Sequence, residues 1–103
     1  MKIIEKVMDD IEEELEGSER YAKDAIYYKE ENPALAKIYY ELSLEEMRHV
    51  DMLHGRIVEL IEKHRREKGE PPAAMMAVYE HLHKKNIEWA NEIKSYQAEY
   101  RGG

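Results

Sequence analysis

Three observations predict an all-α fold for this chain. Its composition is dominated by helix formers, its apolar residues recur at steps of three and four, and its breakers gather at the joints. Of 103 residues, 38% are charged and 43% hydrophobic, with Glu, Lys, Leu, Ala and Met prominent. The three prolines and most glycines fall between periodic stretches, and nothing reads as a strand. The length predicts one domain over 1–103, built as a long antiparallel helical hairpin plus a third helix.

The first helix is expected from Lys2 to Glu30, with its seam at Ile4, Met8, Ile11, Leu15, Ser18, Ala22 and Ala25. Asn32 and Pro33 then read as the N-cap and first-turn residue of the second helix. That helix is expected over 33–68, stopping at Gly69, and Glu70-Pro71-Pro72 follows as a stiff connection. Its a/d seam runs Leu35, Tyr39, Leu42, Glu46, His49, Leu53, Arg56 and Leu60. The third helix, 73–101, presents Met75, Tyr79, Leu82, Asn86, Trp89, Ile93, Tyr96 and Tyr100, and Gly102-Gly103 reads as a frayed end. Gly17 and Gly55 interrupt helices at a cost of ~1 kcal/mol each, either for close helix approach or at a local bulge.

At ~1.5 Å per residue these helices are rods roughly 43, 54 and 43 Å long, which enclose little core. Met76, Ile87 and Ala90 give the third helix a second, partly apolar face. Self-association is therefore expected, with a two-fold homodimer first and a higher homo-oligomer as the extension. The net charge of −7 argues against nucleic acid and acidic membrane surfaces as partners. The absence of cysteine excludes disulfides, thiol chemistry and thiolate-held metals. With no signal peptide visible and no apolar run of the ~18 residues a span needs, a cytoplasmic protein is expected.

Glu46 and His49 break the apolar seam of the second helix, and burying unpaired charge costs several kcal/mol. A metal ion held by both removes that cost, because the i, i+3 spacing puts them on one face. At ~100° per residue, Glu14 falls about 60° from Ile11 on the apolar side of the first helix, while Glu12 and Glu13 point away. Glu14 precedes the turn by about as many residues as Glu46 and His49 follow it, so all three share one height. One Glu plus Glu-x-x-His is half the ligand set of carboxylate-bridged dimetal bundles. Two copies would complete it.

Competing readings stand beside this one. A hydrogen-bonded Glu46–His49 pair would fix helix register without metal. Tyr21 would hydrogen-bond a ligand or carry an electron, core packing being the commoner role. Glu45 and Glu41 are spare carboxylates at the seam edge, and Glu16 points away and would need another subunit. A second Glu-x-x-His, Glu80 and His83, faces roughly 160° and 100° from the Leu82 direction and reads as a solvated or interface feature. His54, His64 and His81 show no partner at ligand spacing.

The stretches Glu13-Glu14-Leu15-Glu16-Gly17-Ser18-Glu19-Arg20-Tyr21 and Glu45-Glu46-Met47-Arg48-His49 resemble the ferritin-like superfamily, in its rubrerythrin-related and encapsulated-ferritin-like branch. The resemblance covers roughly residues 10–62. It implies a ferritin-like four-helix bundle formed by dimerisation, with Glu14, Glu46 and His49 ligating two Fe ions across a subunit interface. It also implies oxidation of Fe(II) to Fe(III) by O₂ or peroxide, and an accessory metal role for Glu16. Lack of cysteine removes the rubredoxin-like module of rubrerythrins, and the end Ser95–Gly103 carries no recognised targeting tail for a protein shell. The expected function is a di-iron ferroxidase, with Mn or Zn as other occupants. The alternative is a structural or adaptor protein in which the Glu–His pair sets register.

Overall fold

The breakers at Asn32-Pro33 and Gly69 to Pro72 divide the chain into three helices. The computed structural model describes residues 1–102, with α1 over Lys2–Tyr28, α2 over Pro33–Lys68 and α3 over Ala73–Arg101. No strand occurs among the described residues. Asn32 caps α2 as expected, its side chain accepting from the Leu35 amide at 3.2 Å with Pro33 at the first turn. Gly69 ends α2 at φ 83°, a conformation that needs no Cβ.

Two end assignments are corrected. The first helix stops at Tyr28 rather than Glu30, because the chain must already reverse there to deliver Asn32 to its capping position; the Asn32 amide bonds the Tyr28 carbonyl at 2.8 Å. Gly102 is a left-handed cap rather than a frayed end, its amide reaching the Glu99 carbonyl at 3.0 Å. Gly103 lies outside the described residues.

The molecule is a rod of 55 × 19 × 18 Å. α1 lies in the middle, α2 runs antiparallel to it, and α3 returns parallel to it, its backbone closer to α1 than to α2 and meeting α2 through side chains. Every seam residue expected on α1 is buried. Full burial of Leu15, Ile57 and Ile93 stabilises the fold by about 1.5–3 kcal/mol each. The core tapers. Ser18, Ala22, Ala25, Ala36 and Ser43 let the helices close up toward the hairpin turn, while Ile4, Met8, Ile57 and Ile61 fill the other end.

The seam of α2 is corrected by one residue. Its buried positions are Ala36, Ser43, Met47, Val50, Ile57 and Ile61. The expected stripe from Leu35 to Leu60 lies one step round the helix, half-buried or exposed. α2 carries two adjacent apolar stripes, and the small residues of α1 accept the one containing Ala36 and Ser43. The larger stripe is left at the open edge of the hairpin, where Ile38, Leu42 and Met52 are exposed. On α3, Ile93 is buried and the other expected seam residues are half-buried. Ile87 on its second face is exposed.

One polar node joins all three helices. The Ser18 hydroxyl donates to the Ser43 carbonyl and the Ser43 hydroxyl to the Ser18 carbonyl, each at 2.8 Å. The Gln97 amide from α3 donates to Ser43 Oγ at 3.0 Å. All three residues are buried, so these bonds satisfy groups that would otherwise cost about 1–3 kcal/mol apiece.

Candidate metal centre

Glu14 on α1 meets Glu46 and His49 on α2 about one turn from the serine node. One ligand atom from each lies within 4.8 Å of the others. His49 Nδ1 is 3.4 Å from Glu14 Oε2. The chemistry of the donor set, two carboxylates and an imidazole, suits a divalent first-row metal. The fit is helped by Gly17, where an added Cβ would come within 3.1 Å of Glu46 Oε2. That close approach explains the glycine. Gly55 has open space around it, and nothing in the structure accounts for it.

The group is not buried in a seam, as the apolar pattern suggested. It lies on the open edge of the hairpin, with the His49 side chain 40% and Glu14 28% exposed. Desolvation is correspondingly weaker than a core position would impose. Electrostatics still mark the site. The Glu14 carboxyl hydrogen-bonds Glu46 and, with burial and the Glu14 charge, lifts the Glu46 carboxyl from 4.5 to about 7; His49 and Arg20 pull it the other way. A cation held between the two carboxyls would displace the proton that Glu46 retains.

Above the carboxylates an open polar pocket is lined by Glu13, Glu14, Glu16, Gly17, Arg20, Tyr21 and Glu46. Glu13 therefore does not point away from the site. With no side chain at Gly17, the pocket extends round α1 to include it. Tyr21 lines the pocket and stacks on Tyr39, with centroids 6.0 Å apart. Glu16 is exposed on the same pocket but outside the three-residue group. Glu45 is also outside it and is paired with Arg48 at 3.0 Å; Glu41 is exposed. On the other side, Glu14 and His49 border a shallow apolar recess with Met52 and Leu53.

The second Glu-x-x-His forms no such group. Glu80 is exposed, while His83 stacks on His54 with centroids 4.3 Å apart and on Tyr79 at 5.7 Å. Tyr79 OH lies 3.3 Å from His54 Nε2. Burial and the neighbouring His54 push the His83 imidazole below its usual range. His54 thus has a stacking partner across α2 and α3 that its spacing along the chain did not reveal. His64 Nδ1 is 3.0 Å from the Gly69 carbonyl, and His81 is exposed.

No family model, curated protein or solved structure matches this chain. No helix is long and apolar enough to cross a membrane among the described residues.

Proposed function

We propose that the chain is an iron-handling protein of ferritin-like design, oxidising Fe(II) to Fe(III) at a site completed by a second copy. The observation that carries this reading is the convergence of Glu14, Glu46 and His49 from two helices onto one small volume. Each copy offers two carboxylates and one imidazole, and a two-fold pair offers the four Glu and two His of a dimetal carboxylate site. Two such half-sites would bind two Fe ions, with Mn or Zn as competing occupants. Fe(II) is the substrate and O₂ or peroxide the oxidant; carboxylate oxygens favour the ferric product.

The surroundings support the second copy. Leu42 is exposed on the α2 stripe that also carries Glu46 and His49, and Ile38 and Met52 are exposed beside it. A two-fold contact along that stripe would bury them while bringing the two half-sites face to face. Within each chain, Gly17 makes room for the Glu46 carboxylate, and the acidic pocket beside Glu13 and Glu16 draws in cations.

Anaerobic Fe(II) titration with sizing, followed by admission of air, tests this proposal. It predicts two irons per dimer and oxidation faster than buffer that is lost in Glu46→Ala. A wild type that binds no iron, or stays monomeric with two irons bound, overturns it. One observation favours a second reading. His49 and Glu14 already approach at 3.4 Å without metal, so the pair can set helix register by itself. An adaptor of that kind would show no metal-dependent rise in thermal stability.

A further inference from the structure

The chain has eight tyrosines and no phenylalanine, and four of the tyrosines stand in file between the metal pocket and the surface. Tyr21 lines the pocket with Glu14 and Glu46. Its ring stacks on Tyr39 across the hairpin, with centroids 6.0 Å apart and planes inclined by 21°. Tyr39 meets Tyr28 at 6.1 Å, and Tyr28 meets Tyr27 edge-on at 4.9 Å. The first three are half-buried, while Tyr27 is 74% exposed. Packing alone accounts for the rings, since aromatic pairs at these separations attract one another. Phenylalanine would stack as well, and what the phenol adds at each step is a group that can lose a proton together with an electron.

We propose that Tyr21, Tyr39, Tyr28 and Tyr27 form a path along which an oxidising equivalent leaves the Glu14–Glu46 pocket for the hairpin surface. Adjacent rings in contact allow short electron steps in place of one long one. The direction is set by the exposed end; at the inner end the Arg20 guanidinium, 5.1 Å from the Tyr21 ring centre, is offset by the carboxylates of Glu13, Glu14, Glu16 and Glu46 that line the same pocket. At the other end, exposed Tyr27 gives up its phenolic proton directly to water.

The electrons balance as follows. An oxidant at the pocket takes one electron from Tyr21, whose phenolic proton leaves through the open pocket. Tyr39 then returns one electron to Tyr21, a proton comes back from solvent, and Tyr39 becomes the neutral radical after losing its own proton. The same exchange repeats through Tyr28 to Tyr27. There the radical ends in one of two ways. It takes an electron and a proton from a soluble one-electron reductant, or it couples with a second Tyr27 radical, forming one carbon–carbon bond while the two ring hydrogens move to oxygen. In the cell the oxidant would be peroxide reacting with bound iron, so the physiological role rests on the proposed function. The path itself does not.

Exposed Glu13 shares the pocket with Tyr21, and the chain has no cysteine. Glu13→Cys can therefore carry a single ruthenium polypyridyl photo-oxidant. Flash-quench of this labelled, metal-free protein should give a tyrosyl radical by transient absorption and electron paramagnetic resonance. Repeated flashes should yield dityrosine at Tyr27, located by peptide mass spectrometry. Tyr39→Phe keeps the stack but removes the relay, so the radical should still form while Tyr27 coupling is lost; Tyr28→Phe should do the same. Coupling at Tyr27 that persists in both variants overturns the path, as does a wild type that forms the radical and never couples at Tyr27. A second arm adds Fe(II) and peroxide to unlabelled protein, with iron binding followed by calorimetry. Failure to bind iron defeats the proposed function while the photochemical arm still judges the path. Bound iron with no Tyr27 product that depends on Tyr39 defeats the physiological role of the path.

Discussion

Gly17 lies directly under the Glu46 carboxylate, so close that a methyl group at position 17 would stand 3.1 Å from Oε2. A flexible side-chain end can give way, but only by leaving the position where it meets Glu14. In Gly17→Ala the helix gains about 1 kcal/mol of propensity, which the contact partly cancels. Thermal denaturation should show apoprotein stability unchanged or slightly raised. Calorimetry should show metal affinity weakened by about tenfold, the equivalent of about 1.4 kcal/mol. Stability and binding moving down together would place the glycine in the fold rather than the site.

The Glu46 carboxyl, raised from 4.5 to about 7, binds its proton more tightly folded than unfolded. Its contribution to stability is therefore present below pH 4.5 and disappears as pH rises through about 7. His83, lowered by burial, acts in the opposite sense and loses stability as pH falls. Glu46 is isolated by difference. Urea midpoints of the metal-free wild type minus those of Glu46→Gln should decline between pH 5 and 8. Metal affinity should rise over the same interval, because the cation displaces that proton.

Ser43→Ala removes the hydroxyl that Gln97 donates to and the second donor to the Ser18 carbonyl, which keeps its bond within the helix. The buried Gln97 amide loses its partner, and chemical denaturation should register a loss of about 1–3 kcal/mol. Ser18→Ala removes one donated bond and should cost about 1 kcal/mol. The double variant should cost less than the two together, since the bonds share partners.

Met52 is 61% exposed beside Glu14 and His49, with little burial to lose within one chain. Met52→Lys should change monomer stability by no more than about 0.5 kcal/mol. Sedimentation velocity should nonetheless show a shift toward monomer, with iron stoichiometry per chain falling alongside. A variant that self-associates as strongly as wild type would move the contact elsewhere.

Much of this architecture is written in local chemistry. Asn32-Pro33 and Gly69 act through their own backbone preferences, so the helix joints could be read directly. The α1 seam was equally plain because only one of its faces is apolar. α2 was harder. Its two stripes differ by a single step, and hydrophobicity favoured Leu35, Leu42, Leu53 and Leu60 over Ala36 and Ser43. Small residues won because they let α1 approach, a property of the pair rather than of either helix. The grouping of Glu14, Glu46 and His49 could be inferred because symmetric distance from a turn survives that error. Gly17 gave a local signal, an unexplained glycine three residues after a candidate ligand. Ser18 stood out as a polar residue in the α1 seam, but its partner Ser43 lay off the stripe expected on α2, and the Gln97 bond and the His54–His83 stack gave no signal, since both depend on where α3 comes to rest.

Two long helices joined at one end can slide past one another like the parts of a slide rule, and greasy side chains alone resist that poorly. The reciprocal serines act as its zero mark. Displacing α1 along α2 by one turn would strip both hydroxyls of their carbonyls inside a region without water to replace them. The same displacement would carry Glu14 about 5.4 Å along α2, away from His49. The alignment of Glu14 with Glu46 and His49 is thus guarded by two uncharged residues beside them, and a cation that bound there would find its donors already in step.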